Sequence, residues 1–342
     1  MDIYEYLINN KENKFKKEFE TEWIQFLNDL KLPYTENKVL HLGNRFRPRL
    51  VCFGYLFSNN ISLSNFSKIA SVGVCVEALH KASLIIDDII DNDNKRYGHC
   101  AFHKQFSVNE TIAFSVHLIG KSCSLLNRTF HENVNDSRIV MYAMDLYSNI
   151  ISEMTYGALL EMGNNENSIE NVRKITNFET ATLIKNSLLL GYLMGNDCNE
   201  AVIKIFIEIG NKCGELYQLL NDLEPFLNPQ FNARHKGKVN VDFNNYRKNI
   251  VVAFIRETLG TETIRKLMTE DTDNVEQSIV DLMQNNKIKI FIQNEIISHY
   301  NAIINLMNCL ETFSENKEWH KKFRDFFDAT IKWGTIRSRL YS

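Results

Sequence analysis

Apolar residues recur at helical spacing through most of the chain, in i, i+3, i+4 repeats rather than the alternation of a strand. A helix is expected to start at Pro48 and run through LVCFGYLF, because proline at a first helical position lacks only an N–H that has no partner there. Residues 64–91 read as one long helix, and others are expected over 109–131, 135–162, 168–194 and 199–224. Pro225 and Pro229 are expected to stop the last of these. The polar stretch LNPQFNARHKGKVNVD at 227–242 reads as a loop, after which 246–342 returns to helical patterning. No linker rich in Gly, Ser or Pro and no repeat divides the chain. The pattern therefore predicts one all-α domain over 1–342, with 256–342 as its helical C-terminal part.

Composition adds little to that picture and removes several classes. Glycine (14) and proline (4) are scarce in 342 residues, which favours long helices over a turn-rich β protein. An apolar fraction of 44% is enough for a sizeable core. The net charge of −3, with no Lys/Arg block, gives no nucleic-acid footprint. Seven cysteines without a CxxC pair read as reduced thiols of a cytoplasmic protein. The N-terminus lacks the apolar stretch of a secretory signal. The most apolar segment, around Ile69 to Ile90, is interrupted by Glu77, His80 and Lys81, so no membrane span is expected.

The candidate chemistry sits in SLIIDDIIDND. Asp87 and Asp91 are four apart and share one helix face; His80, seven residues before Asp87, lies on nearly the same face, and Asp88 points about a quarter turn away. Carboxylates gathered near a helix C-terminus repel one another and the helix dipole. Divalent cations between them relieve that repulsion, and hard oxygen donors suit Mg²⁺, which binds through one or two carboxylates plus substrate phosphates. An acidic helix end exposed to water satisfies DDxxD equally well. Here, however, the acids follow a strongly apolar run, CVEALHKASLII, and buried acids need partners.

EALHKASLIIDDIIDNDNKRYG resembles the first Asp-rich region of the trans-isoprenyl diphosphate synthase family, in which DDxxD is followed by RRG. LGNRFRPRL resembles that family's GGKRxRP, FETATLIKNSLLLG its KTAxLFxxxxxLG, YQLLNDLEPF its FQxxDDxxDF and GKVNVDFNNYRKN its GKxxxDxxxGKxT. The five blocks occur in family order across roughly residues 40–255. The resemblance implies helices bundled around a deep apolar cavity, Mg²⁺-dependent ionisation of an allylic prenyl diphosphate, and a homodimer. It makes Asp87 and Asp91 metal ligands supported by Asp88, with Asn221 and Asp222 as the ligands of the second acidic motif. Arg96 falls to the allylic diphosphate, Gln218, Lys238 and Arg247 match further substrate-binding positions of the family, and Arg45 and His80 fall to isopentenyl diphosphate, the usual acceptor.

The departures from the family pattern are as informative. Asn44 replaces the lysine of GGKRxRP, Tyr97 the second arginine of RRG, Glu179 the lysine of KT, and Gly157-Ala158 the upstream GQ. The second acidic motif reads Asn221-Asp222-Leu223-Glu224-Pro225, in which Pro225 cannot ligate and Glu224 stands beside it. A hydrogen bond to a charged group contributes about 1.5–3 kcal/mol, so losing two from the acceptor site weakens it by roughly 10²–10⁴-fold if the losses add. With DDIID intact, the leading expectation is ionisation followed by cyclisation, or transfer of the cation to an acceptor other than isopentenyl diphosphate. The alternative is an ordinary chain-elongating synthase, favoured by Arg45 and His80. The small Ala82 and Ser83 before the acidic motif would then imply products of geranylgeranyl length or longer. A non-catalytic partner subunit is a third reading, which the intact acids disfavour.

Overall fold

The computed structural model describes residues 3–58, 66–163, 168–227, 249–269, 278, 281–314 and 316–331, and the chain is all-α. In order, the elements are α1 (Ile3–Asp29), a 3₁₀ turn (Pro33–Glu36), α2 (Lys38–His41), α3 (Phe46–Phe57) and α4 (Phe66–Ile90). A two-stranded hairpin, β1 (Lys95–Arg96) and β2 (His99–Cys100), leads to α5 (Phe102–Gln105), α6 (Val108–Asn133), α7 (Ser137–Gly163) and α8 (Ile169–Thr176). A π-helical turn (Asn177–Ala181) joins α8 to α9 (Thr182–Met194), followed by α10 (Glu200–Leu227). The remaining helices are α11 (Ile250–Leu259), α12 (Thr261–Thr269), α13 (Asn286–Leu310) and α14 (Lys317–Ile331).

Most expected helices form within two or three residues of their predicted ends. Pro48 is the third residue of α3, not the first, because Arg45 enters the helix in a left-handed conformation (φ 53°) that starts it at Phe46. Pro225 does not stop α10, which continues to Leu227. A proline this near a C-terminus removes only one hydrogen bond, from a turn whose last carbonyls lack helical partners anyway. The expected 168–194 helix is continuous but widened at 177–181. α1 was not expected; the spacing of Phe15, Phe19, Trp23 and Leu27, all buried, is its signal. The loop expected at 227–242 lies outside the described residues beyond Leu227.

α4 is apolar on nearly every face and packs against α1, α3, α6 and α9, so it forms the centre of the core. Among the described residues it alone is long and apolar enough to cross a membrane, and most of it is buried within the fold. α3 and α9 cross at backbone contact. A Cβ on Gly191 would lie 1.9 Å from the Val51 carbonyl oxygen, and one on Gly54 would lie 2.0 Å from that of Leu188. Gly191→Ala should therefore push the helices apart and cost about 1–3 kcal/mol as overpacking. Gly120→Ala, with nothing within 4 Å, should be neutral or stabilising. Urea unfolding midpoints decide this, and equal midpoints for the two variants would refute the close crossing. Two buried tryptophans tie the layers: Trp23 Nε1 donates to the Leu40 carbonyl (3.2 Å) and Trp319 Nε1 to that of Phe53 (3.0 Å).

The end of α4 is shaped for the site. Asn92 takes a left-handed conformation (φ 51°), which suits the residue just past a helix, and the Asp93 amide bonds the Asp88 carbonyl (3.0 Å). Tyr97 and Gly98, both at positive φ, make the two-residue turn of the hairpin, whose register pairs Arg96 with His99. This turns Arg96 back over the acids of α4.

Candidate active site

Two charge fields lie along α4, one basic around His80 and one acidic at Asp87, Asp88 and Asp91. Seven residues separate His80 from Asp87, about 10 Å of helix rise. In the acidic field Arg96 Nε donates to Asp88 Oδ1 (2.7 Å) and its Nη2 to Asp87 Oδ2 (3.0 Å). Burial opposes the charge of Arg96, but Asp88 and Asp87 more than offset it and hold the guanidinium protonated. Asp88 is fully buried, and burial outweighs Arg96 to push its carboxyl up to about 6. Its Oδ2 has no hydrogen-bond partner. Asp87 stays half exposed, with 48% of its side chain open.

The π-turn brings further groups to this field. Burial, then Glu161, Asp87 and Asp91, push the Glu179 carboxyl far above the usual carboxylate range. The exchange of lysine for Glu179 thus sets beside the first acidic motif a carboxyl that resists ionisation. Next to it, Thr180 Oγ1 donates to Gln218 Oε1 (3.0 Å), and Gln218 Nε2 donates to Asp222 Oδ1 (2.8 Å). A chain of neighbours therefore links Asp87 and Asp91 to the second acidic motif through Glu179, Thr180 and Gln218. π-turns inserted in helices are frequent at functional sites, and this one carries Glu179 near the first motif and Thr180 bonded to Gln218 of the second.

Asp222, expected to ligate metal, is 6% exposed, and its second oxygen, Oδ2, accepts the Ile250 amide (2.8 Å). Its carbonyl accepts Asn249 Nδ2 (2.9 Å), so Asp222 ties α10 to the N-terminus of α11. Asn221 beside it is exposed. Lys238 and Arg247 lie outside the described residues.

The all-oxygen donor set fits Mg²⁺. Among the described residues no three His, Cys, Asp or Glu side chains converge on one point, so no closed protein cage exists. Mg²⁺ does not require one, because it binds through one or two carboxylates, water and phosphate. The orphaned Asp88 Oδ2 and the mutual repulsion recorded at Glu179 mark a region short of positive charge.

The basic field differs from its sequence reading in one respect. Arg45 is spent on the protein: it donates to Glu77 Oε1 (2.7 Å), Glu20 Oε1 (3.2 Å) and the carbonyls of Leu40, His41 and Leu42, and lies over Phe19 and Trp23. Arg47, which the sequence reading did not single out, is the arginine turned toward His80, its Nη1 3.1 Å from His80 Nε2. Arginine only donates, so Nε2 accepts and the imidazole proton sits on Nδ1. Burial and the cations Arg47, Lys81, Arg96 and Arg45 press the His80 pKa well below its ordinary value, keeping it neutral. Arg47 is 8% exposed, and its buried Nε has no partner. The signal available in the sequence was the second arginine of the FRPR run, two residues past Arg45. Lys81 and Tyr97 complete the field, with the ammonium 4.9 Å from the Tyr97 ring centroid. Such a field combines a fork of N–H donors, a neutral imidazole N–H and a buried ammonium, the donor chemistry that suits a phosphate-bearing anion.

Residues 32–284 match the family model described as polyprenyl synthetase. A short chain isoprenyl diphosphate synthase of Methanocaldococcus jannaschii is 24% identical over 66% of this chain and 66% of its own length. A farnesyl diphosphate synthase of Buchnera aphidicola is 30% identical over 53% of this chain and 62% of its own. The chain thus spans less than two thirds of either relative. The crystal structure of heptaprenyl diphosphate synthase from Staphylococcus aureus superposes with a TM-score of 0.78 at 20% identity, covering 94% of this chain and 98% of that one.

Proposed function

Because the chain belongs to the polyprenyl synthetase family, we propose that it is a chain-elongating prenyl diphosphate synthase, joining an allylic diphosphate to isopentenyl diphosphate. The observation that carries this reading is the basic field of Arg47 from α3 with His80 and Lys81 of α4, the latter pair about two turns before the acids on the same helix. An enzyme that only ionised and cyclised its substrate would need the acidic field alone. A second buried cluster of cations with one orphaned donor is explained by a second diphosphate. Elongation, the alternative in the sequence reading, is therefore preferred to cyclisation.

In this reading Asp87 and Asp91 hold Mg²⁺, with Asn221 and Glu224 as further oxygen donors and Asp88 locked behind them by Arg96. Bound Mg²⁺ supplies charge that stabilises the departing diphosphate. Arg96 keeps Asp87 and Asp88 from repelling each other and orients their oxygens. Gln218 and Thr180 hold the π-turn against α10, fixing the distance between the two motifs. Arg47 and His80 bind the diphosphate of isopentenyl diphosphate, with His80 donating through Nδ1. The apolar helix faces below exclude water that would quench an allylic cation. All seven cysteines are free, as in a reducing cytoplasm.

The test is incubation with Mg²⁺ and geranyl, farnesyl or geranylgeranyl diphosphate, with and without isopentenyl diphosphate, and mass spectrometry of the products. Longer prenyl diphosphates, formed only with isopentenyl diphosphate, are expected. Hydrocarbons or alcohols formed equally without it would replace this reading by cyclisation. Buried Ala82, and Ser83 with its hydroxyl turned back on the His80 carbonyl, leave no bulky ring above the acids, so products of geranylgeranyl length or longer are expected.

A further inference from the structure

Lys81 is fully buried, and its charge is not matched by the groups around it. Its Nζ donates to the Leu42 carbonyl and lies 3.7 Å from Glu77 Oε1, an oxygen already held by Arg45 at 2.7 Å. The other groups near it are Arg47, His80 and Arg96, none of them anionic toward it, and the Tyr97 ring. Burial, partly offset by Glu77, lowers its pKa to about 8, so the protein carries a costly cation inside its core.

The position of that cation is specific. A Cβ built on Gly43 (φ 120°) would meet Lys81 Nζ at 3.3 Å, Tyr97 Oη at 3.5 Å and Glu77 Oε1 at 4.0 Å. The ammonium and the phenol therefore flank one small space at the Leu42–Asn44 loop, the loop that leads through Arg45 to Arg47. Asn44 and Tyr97 are the positions where this chain lacks a basic residue of the GGKRxRP and RRG motifs. A methionine would fill the same core volume without the charge, so packing does not account for a lysine.

We propose that Lys81 is a positioning residue for the second diphosphate substrate, supplying from inside α4 the positive charge that Asn44 and Tyr97 do not. It acts through the Leu42–Asn44 loop, which it ties to α4, and through Tyr97, whose ring it holds. This rests on the elongation reading and adds to it a residue that sets affinity for one substrate only.

The test is Lys81→Met, measured by steady-state kinetics in both substrates and by thermal unfolding. The expected result is a KM for isopentenyl diphosphate raised about tenfold, an allylic KM within about twofold, and an unchanged or higher Tm, since an unmatched buried charge is removed. Asn44→Lys in the Lys81→Met background should recover most of the lost affinity. A fall in Tm with both KM values rising together would make Lys81 merely structural and overturn the proposal, as would no change in either KM. Where the parent protein extends no substrate, the elongation reading fails by itself. Lys81 is then judged by calorimetry with inorganic diphosphate, where about tenfold weaker binding by Lys81→Met supports the role and equal binding overturns it.

Discussion

Asp87→Ala is expected to lower kcat for product formation by about 10³-fold or more, roughly 4 kcal/mol of transition-state stabilisation at 1.36 kcal/mol per decade. Asp87 is the half-exposed acid of the motif, and Arg96 takes only one of its oxygens, so the carboxylate remains open to a cation. Its loss should cost little stability, because no group is left buried without a partner. Asp88→Ala makes the contrast. Asp88 is fully enclosed and supplies the closer of the two partners of Arg96, so its removal leaves Arg96 with Asp87 alone and should destabilise the fold by about 1.5–3 kcal/mol. Release of diphosphate and thermal unfolding, measured on both variants, separate the roles. If Asp87→Ala kept kcat within fivefold at an unchanged Tm, the metal reading of the acidic field would be abandoned.

How far the sequence reaches is visible in these same residues. The helices of the core were legible because their apolar spacing is long and uninterrupted, and DDIID was legible because its chemistry is local to one helix turn. What was not legible depends on the third dimension. Arg45 and Arg47 are two residues apart with the same side chain, yet one faces Glu77 and Glu20 and the other His80. The left-handed conformation at Arg45 decides which faces which, and no propensity predicts a positive φ at an arginine. Asp222 reads as a ligand from its motif; what the motif does not show is that the path of the chain into α11 also gives both its oxygens protein partners. Glu179 reads in its motif only as a lost lysine; burial first, and then Glu161, Asp87 and Asp91 arriving from other elements, raise its carboxyl above the usual range. Lys81 sat in an apolar run and read as an interruption, whereas the fold surrounds it with cations and one claimed carboxylate.

The two arginines give the sharper prediction about the acceptor. Arg47→Ala should raise the KM for isopentenyl diphosphate by about 10²-fold, since two charge-assisted hydrogen bonds of about 1.5 kcal/mol each are lost. It should leave the allylic KM nearly unchanged. Its effect on folding should be small, because Arg47 has a neutral partner in His80 and a buried Nε that bonds nothing, so no ion pair is broken. Arg45→Ala should behave in the opposite way. Glu77, 2% exposed, would lose its closest cation, and the carbonyls of residues 40–42 would lose an arginine donor, Leu40 keeping Trp23 and Leu42 keeping Lys81. A loss of about 3–5 kcal/mol of stability is expected, with substrate affinities in the surviving folded fraction changed far less. Denaturant midpoints and KM values measured on the same preparations would settle the assignment. The reverse pattern, an unstable Arg47→Ala and an acceptor defect confined to Arg45→Ala, would return the diphosphate to Arg45 and require the loop to open on binding.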